Sequence, residues 1–443
     1  MRFVTSTLSV GLLLVCCSAF AASNDYYAAS NNKFASSSDE HDDKSIPVGG
    51  ANLTPLINIT QRYDNNILSA KSDEIDTWIT ITQPSFKLVR EFGEFGLNNW
   101  EIDYILSNGK YYSSHDDDFT DHDVSGTLNY EINQRHRFML QGGYINSHED
   151  RGARFSIGIG DELKEPDNHE QIYSGLRYTL GAETADARLE LEFGYLDDDY
   201  NTVMATDSST GELYDLTASR DRITHKLGAK FFYKIASATD LTLEAWHSDI
   251  DYDETLGNDP DLSSVEQQFM AGLEWEATAL TTGYAKIGYK EKDFEEARSP
   301  FESFEWVVEV DWEPLTYSKF TFATARVTEE TNGEGFFFLE TIGEGTFIES
   351  TSYKISWRHE WLERLNTRLT FGLTKDDYHG ADGADDDVVR KDDNKGARLV
   401  INYDMTYWLT FSLDFSKTKR ESTRDSLTYD REVAALGVRI ALF

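Results

Sequence analysis

The chain has 443 residues, a formal net charge of −38, a mean hydropathy of −0.51 and only 7 prolines. That hydropathy is too low for helical membrane spans, and so negative a charge repels phosphate, which excludes nucleic acid as a partner. The 2 cysteines, Cys16 and Cys17, stand close to the N-terminus, so disulfides, thiolate metal sites and thiol catalysis are excluded for the rest of the chain.

Arg2 gives a short positive start, Val10 to Val15 a brief apolar core, and Ala19-Phe20-Ala21 an A-x-A cleavage pattern. Residues 1–21 therefore read as a secretory signal peptide, with a mature start at Ala22 and no cysteine left after cleavage. The apolar run is too short for a spanning helix. Residues 22–50 are rich in Ser, Asn and Asp and have no period, as expected of a disordered periplasmic lead-in. Within them, Asp39-Glu40-His41-Asp42-Asp43 reads as solvated charge rather than a metal site.

From Leu53 onward one unit recurs, an alternating run followed by a turn or an acidic loop. Alternation at period two marks a half-buried strand. In 187–195, Leu189, Leu191, Phe193 and Tyr195 share a face opposite Arg188, Glu190 and Glu192. In 365–374, Leu365, Leu369, Phe371 and Leu373 oppose Asn366, Arg368 and Thr370, and in 408–416, Leu409, Phe411, Leu413 and Phe415 oppose Thr410, Ser412 and Asp414. The same pattern returns at 124–132, 269–276, 304–312 and 397–404. These runs approach or exceed the roughly ten residues that a tilted strand needs to cross a bilayer, and they are longer than ordinary sandwich strands. Trp306 with Trp312, Trp357 with Trp361, and Tyr403 with Tyr407 and Trp408 lie near strand ends, where interfacial girdles place aromatics.

Connections alternate in length. Short ones fall at Glu91–Glu94, Asn133–Arg135, Ala182–Ala185, Ala236–Ala238, Ala279–Thr281, Pro314–Thr316 and Leu362–Arg364. Long polar ones fall at 113–121, 149–168, 198–219, 253–263, 293–301, 330–345, 376–394 and 421–430. Short periplasmic turns and long outer loops predict an all-β, transmembrane, antiparallel up-and-down barrel over residues 51–443, with about eighteen strands (sixteen to eighteen) and both ends in the periplasm.

If each apolar face meets lipid, the opposite face lines the lumen. It then receives Arg177, Arg188, Glu190, Glu192, Arg222, Lys226, Lys230, Glu274, Glu276, Glu305, Glu309, Arg368, Arg398 and Arg439. Any one of these charges can simply pair across strands. A ring of about eighteen strands is nevertheless too wide for side chains alone to fill. Loop 330–345, with Phe336-Phe337-Phe338, is the candidate to block it. The runs Asp116-Asp117-Asp118, Asp197-Asp198-Asp199 and Asp385-Asp386-Asp387 with Asp392-Asp393 fit solvated outer loops, or divalent-cation bridges to lipopolysaccharide or acidic glycan.

Residues 53–88 (LTPLINITQRYDNNILSAKSDEIDTWITITQPSFKL) open with a strand ending in Arg62-Tyr63-Asp64-Asn65-Asn66-Ile67 and continue with a second from Asp76 to Pro84. This stretch resembles the outer-membrane porins associated with exopolysaccharide and capsule synthesis. The final strand (ALGVRIALF) is similar to those of such barrels, with Gly437 inside it and Phe443 at its end as the assembly signal. It departs from many of them in Ala441, where a large apolar residue is usual. The resemblance implies an outer-membrane channel for export of an extracellular or capsular polysaccharide. Its implied partners are outer-membrane lipid and lipopolysaccharide, the barrel assembly machinery and periplasmic polysaccharide-export components. A general or oligosaccharide-selective uptake porin is one alternative, and a surface interaction protein with cation-binding acidic loops is another.

No catalytic pattern competes with these readings, and no cofactor or metal is expected. His148, His169 and His359 each precede a Glu, but no second His completes a zinc motif. Asp249, Asp251 and Asp253 imitate a calcium loop, yet Glu254 stands where its glycine is required and Pro260 where its last ligand is.

Overall fold

The computed structural model describes residues 45–442 with breaks at 94–97, 154–155, 157–159, 162, 202–203, 207–212, 216, 218–219, 254–261, 279, 296–299, 331–346 and 380–387. The expected signal peptide, most of the lead-in, the Phe336 loop, Asp385 to Asp387 and Phe443 lie outside the described residues.

The alternating runs form strands in chain order: β1 (Ile46–Val48), β2 (Ala51–Asp64), β3 (Thr77–Phe92), β4 (Asn98–Tyr111), β5 (Phe119–Asn133), β6 (His136–Glu149), β7 (Asp167–Leu180) and β8 (Ala187–Tyr200). A small hairpin, β9 (Met204–Thr206) with β10 (Leu213–Asp215), follows. Then come β11 (Arg222–Ala236), β12 (Thr239–Tyr252), β13 (Ser264–Thr278), β14 (Thr281–Phe294), β15 (Phe301–Leu315), β16 (Ser318–Glu330), β17 (Phe347–Leu362), β18 (Leu365–His379), β19 (Val388–Thr406), β20 (Leu409–Ser422) and β21 (Tyr429–Ala441).

Nineteen strands share one sheet, and setting aside the short β1 leaves eighteen in the barrel. Each pairs antiparallel with its sequence neighbour, and β8 pairs with β11 across the small hairpin. β2 closes the ring against β21, with Asn58 opposite Arg439 and Thr60 opposite Gly437. Closure leaves no edge to satisfy within lipid. Five of the expected short connections, and the one from β19 to β20, leave two residues between strands, which is enough to reverse an antiparallel pair.

Two opposite environments fix the register. Large apolar side chains stay exposed on one face of every strand, among them Leu191 and Phe193, Leu227 and Phe231, Phe269 and Leu273, Leu413 and Phe415. Phe269 is 58% exposed in mid-strand, which only a lipid solvent makes favourable. Tyr317, Trp361, Tyr403, Tyr407 and Trp408 mark the short-turn end of this belt.

Three expectations change at strand ends. Within the expected loop 376–394, the described residues are strand, because β18 runs to His379 and β19 starts at Val388. Their inward polar groups find partners: Asp376 accepts across strands from Ser350 (2.7 Å) and Asn394 (2.9 Å), and Arg390 donates to Asp392 two residues along β19. The first barrel strand ends at Asp64 rather than Ile67. The end of the expected lead-in is ordered as β1, joined to β2 through Gly49 and Gly50, whose φ of 59° and 85° suits a two-residue hairpin turn.

Candidate functional site

The register puts Arg177 (β7), Arg188, Glu190 and Glu192 (β8) and Arg222, Lys226 and Lys230 (β11) opposite the exposed apolar rows. The same holds for Glu274 (β13), Glu305 and Glu309 (β15), Arg368 (β18), Arg398 (β19) and Arg439 (β21). Glu276 stands at the end of β13, exposed beside a turn where its N–H donates to the Ala238 carbonyl.

On the wall from β7 to β14 these charges compensate one another laterally. Glu192 lies 3.1 Å from Arg177 and 3.3 Å from Lys230, and Arg188 lies 3.3 Å from Glu190. Lys286 bridges Glu244 and Glu274 at 2.7 Å each. Trp246 donates to Glu244 and is flanked by the ammonium groups of Lys226 and Lys230 at 4.6 and 5.0 Å from its ring centre, while Arg188 covers Phe232. Cations therefore occupy the aromatic faces that a sugar ring would stack on. Arg222 reaches Asp198 at 2.9 Å, and Glu305 accepts from Gln268 and from the Thr328 N–H. Lateral pairing of this kind runs along the wall, and a ring of eighteen strands is too wide for these side chains alone to fill.

The wall from β17 to β21 differs. Arg358 and Arg368 stand directly opposite each other on the inner face, and Arg358 lies 3.3 Å from Glu360 on its own strand. Arg398 donates to Asp414 at 3.0 Å, and Arg439 lies in register with Asn58 and Thr410. Between the cations runs a chain of neutral groups: Asn402 donates to Asn366 (3.1 Å), Ser412 donates to Asn402 (2.8 Å), and Ser356 bonds Thr370 (3.0 Å).

The outer mouth holds a feature that alternation does not reveal. The connection from 65 to 76 turns inward, burying Ile67 and Leu68 against Ile79, Ile81, Tyr111 and Phe119 on the inner faces of β3, β4 and β5. Asn66 shapes it, donating to the carbonyls of Ala70 (2.7 Å) and Asp430 (3.0 Å) and accepting from the Ala70 N–H (2.9 Å). A Cβ on Gly152, at φ 81°, would fall 1.7 Å from the Leu68 carbonyl oxygen, so only glycine lets the two loops meet. Across the closing seam, Arg431 grips Asp64 with distances of 2.6–3.1 Å and approaches Asp150 at 4.0 Å. Asp150 accepts from Tyr111 (3.3 Å) and pairs with His148 (3.2 Å). Burial alone would raise the Asp150 carboxyl, but the hydrogen bond and charge of His148, with the charges of Arg62 and Arg431, hold it well below the usual carboxylate range. The signal for this mouth lay in Arg62-Tyr63-Asp64-Asn65-Asn66-Ile67, whose polar members make these contacts.

The acidic runs are likewise less solvated than loops would be. Asp117 is held by Arg151 at 2.7 Å, Asp198 by Arg222, and Asp392 by Arg390 at 2.6 Å. Among the described residues no group of three or more His, Cys, Asp or Glu is arranged to hold a metal ion.

The family model described as "Putative beta-barrel porin 2" matches residues 41–442. No curated protein matches the sequence. Among solved structures, the chain is similar to OccK1 (OpdK) of Pseudomonas aeruginosa, at 13% identity over 88% of this chain and 99% of that one, with a TM-score of 0.47. It is also similar to OccAB2 of Acinetobacter baumannii, at 11% identity over 89% and 98%, with a TM-score of 0.48. For the siderophore receptor PirA of Acinetobacter baumannii the values are 8% identity over 88% and 80%, with a TM-score of 0.45.

Proposed function

The chain belongs to this porin family, and from that premise we propose that it is a passive outer-membrane conduit for an extracellular polysaccharide. As a porin of the outer membrane it carries solutes and does not transform them. What supports the glycan reading is the wall from β17 to β21, where amide and hydroxyl groups of Asn366, Asn402, Ser412, Ser356 and Thr370 alternate with Arg358, Arg368 and Arg398. A chain of hydroxyl-bearing sugars needs many exchangeable hydrogen bonds and no single tight site, because conduction fails when binding is too strong to leave. The driving force comes from synthesis behind the chain, with periplasmic export components delivering it at the short-turn end.

A second reading, inward passage of a small solute, is favoured by the inward turn of 65–76, which takes up part of the outer mouth. Gene deletion separates the two. The export reading expects less surface polysaccharide, normal growth on small sugars, and a current through the purified barrel that polysaccharide reduces. Normal surface polysaccharide with impaired uptake of a small solute would establish the second reading instead.

A further inference from the structure

At the outer end of the barrel, the outward rows change from apolar to charged. On six strands the first charged residue above the belt is acidic: Glu170 on β7, Asp197 on β8, Asp249 on β12, Glu291 on β14, Glu302 on β15 and Glu349 on β17. Lone cations occur at Lys110 and Arg326, each bound to a carboxylate of its own, Asp118 and Glu349.

Three adjacent strands invert the sign. On β18 the row passes from Phe371 and Leu373 to Lys375, on β19 from Leu399 and Ala397 to Lys395, and on β20 from Leu413 and Phe415 to Lys417 and Lys419. Lys395 and Lys419 are direct cross-strand partners, an unfavourable position for two like charges. They share one carboxylate, Glu421, at 2.8 Å each, Lys417 lies 2.6 Å from Glu432, and Asp393 and Asp430 are the cross-strand partners of Lys375 and Lys419. The lysine side chains remain 51%, 42% and 60% exposed for Lys395, Lys419 and Lys417. Pairs so exposed contribute little, so these carboxylates space the ammonium groups without withdrawing them from other anions. Directly beneath, Phe371, Leu413 and Phe415 are 48%, 40% and 46% exposed, an apolar ridge fit for acyl chains.

We propose that the outward faces of β18 to β20 bind the phosphates of a lipopolysaccharide headgroup through Lys375, Lys395, Lys417 and Lys419. Ammonium groups stand at the boundary where acyl chains end and the phosphorylated sugars of the outer leaflet begin, and each meets phosphate as a point charge. Around the acidic remainder of the rim the same lipid needs a divalent cation as a bridge. On this sector it does not. The site lies outside the lumen and is independent of which solute the barrel conducts.

The test uses the full chain, refolded free of lipid and then exposed in EDTA to diphosphorylated or dephosphorylated lipid A, with retained lipid counted by native mass spectrometry. The unaltered protein should retain the diphosphorylated form and lose the dephosphorylated one, a comparison that needs no variant. Lys395→Gln with Lys417→Gln and Lys419→Gln should weaken retention by on the order of a hundredfold, at roughly fivefold per lysine near a charged surface. Glu291→Gln with Glu302→Gln, on the acidic sector, should leave it unchanged. Equal retention of both lipids, complete loss in EDTA, or a heat-modifiable triple variant that binds as the unaltered protein does would each overturn the proposal.

Discussion

Asp64 and Arg431 meet where the first and last barrel strands meet, and Asp64 is fully buried. Removing one member of a buried pair strands the other's charge, at a cost of about 3–5 kcal/mol, whereas an exposed pair costs about 1 kcal/mol or less. Arg431→Gln should therefore lower the urea midpoint of the refolded barrel far more than Lys87→Gln, which disrupts the Lys87–Glu101 pair on half-exposed side chains. Equal midpoints would mean that the seam is not held at this residue. The same contact explains why the motif from Arg62 to Ile67 is polar at the end of an otherwise apolar strand. Arg62 reaches Tyr111, Asp64 grips Arg431, and Asn66 shapes the loop that buries Ile67.

At the scale of strands, alternation between lipid and water predicts a difference between neighbours. Leu413 faces lipid near the middle of β20, and Ser412 faces the lumen beside Asn402. An arginine on the lipid face at mid-membrane costs about 2–4 kcal/mol, while on the lumen face its head stays in water. Leu413→Arg should thus depress folding efficiency into lipid vesicles, and Ser412→Arg should leave most of it intact; the reverse order would invert the assignment of faces. This is also why so much of the barrel was legible. A strand with one solvent on each face writes its register into the sequence at period two. Legibility fails where both faces are polar, as at 376–394, where inward Asp376 and Asp392 resemble loop residues until Asn394 and Arg390 are seen to pair with them. It also fails where the chain covers its own lumen. Ile79 and Ile81 would be sent to lipid by period alone, yet they point inward because Ile67 and Leu68 lie over them.

For the whole molecule, the relevant quantity is not the net charge of −38 but where the inner charges stand. Lateral pairs such as Arg177 with Glu192 run along one wall, while the wall from β17 to β21 sets Arg358, paired with Glu360, opposite Arg368, with the Arg398–Asp414 pair nearby. A lumen field of this kind should appear as ion selectivity, which screening controls. The Debye length is about 10 Å at 0.1 M salt and about 3 Å at 1 M. Arg368→Glu combined with Arg398→Glu should therefore shift the reversal potential of the purified barrel toward cations under a potassium chloride gradient near 0.1 M, and much less near 1 M. Arg398→Gln separates charge from the loss of the Asp414 partner, since it removes the ion pair without reversing the sign. A smaller shift in the same direction is expected from it. A heat-modifiable double variant whose reversal potential at low salt equals that of the unaltered protein would mean that permeating ions do not pass this wall.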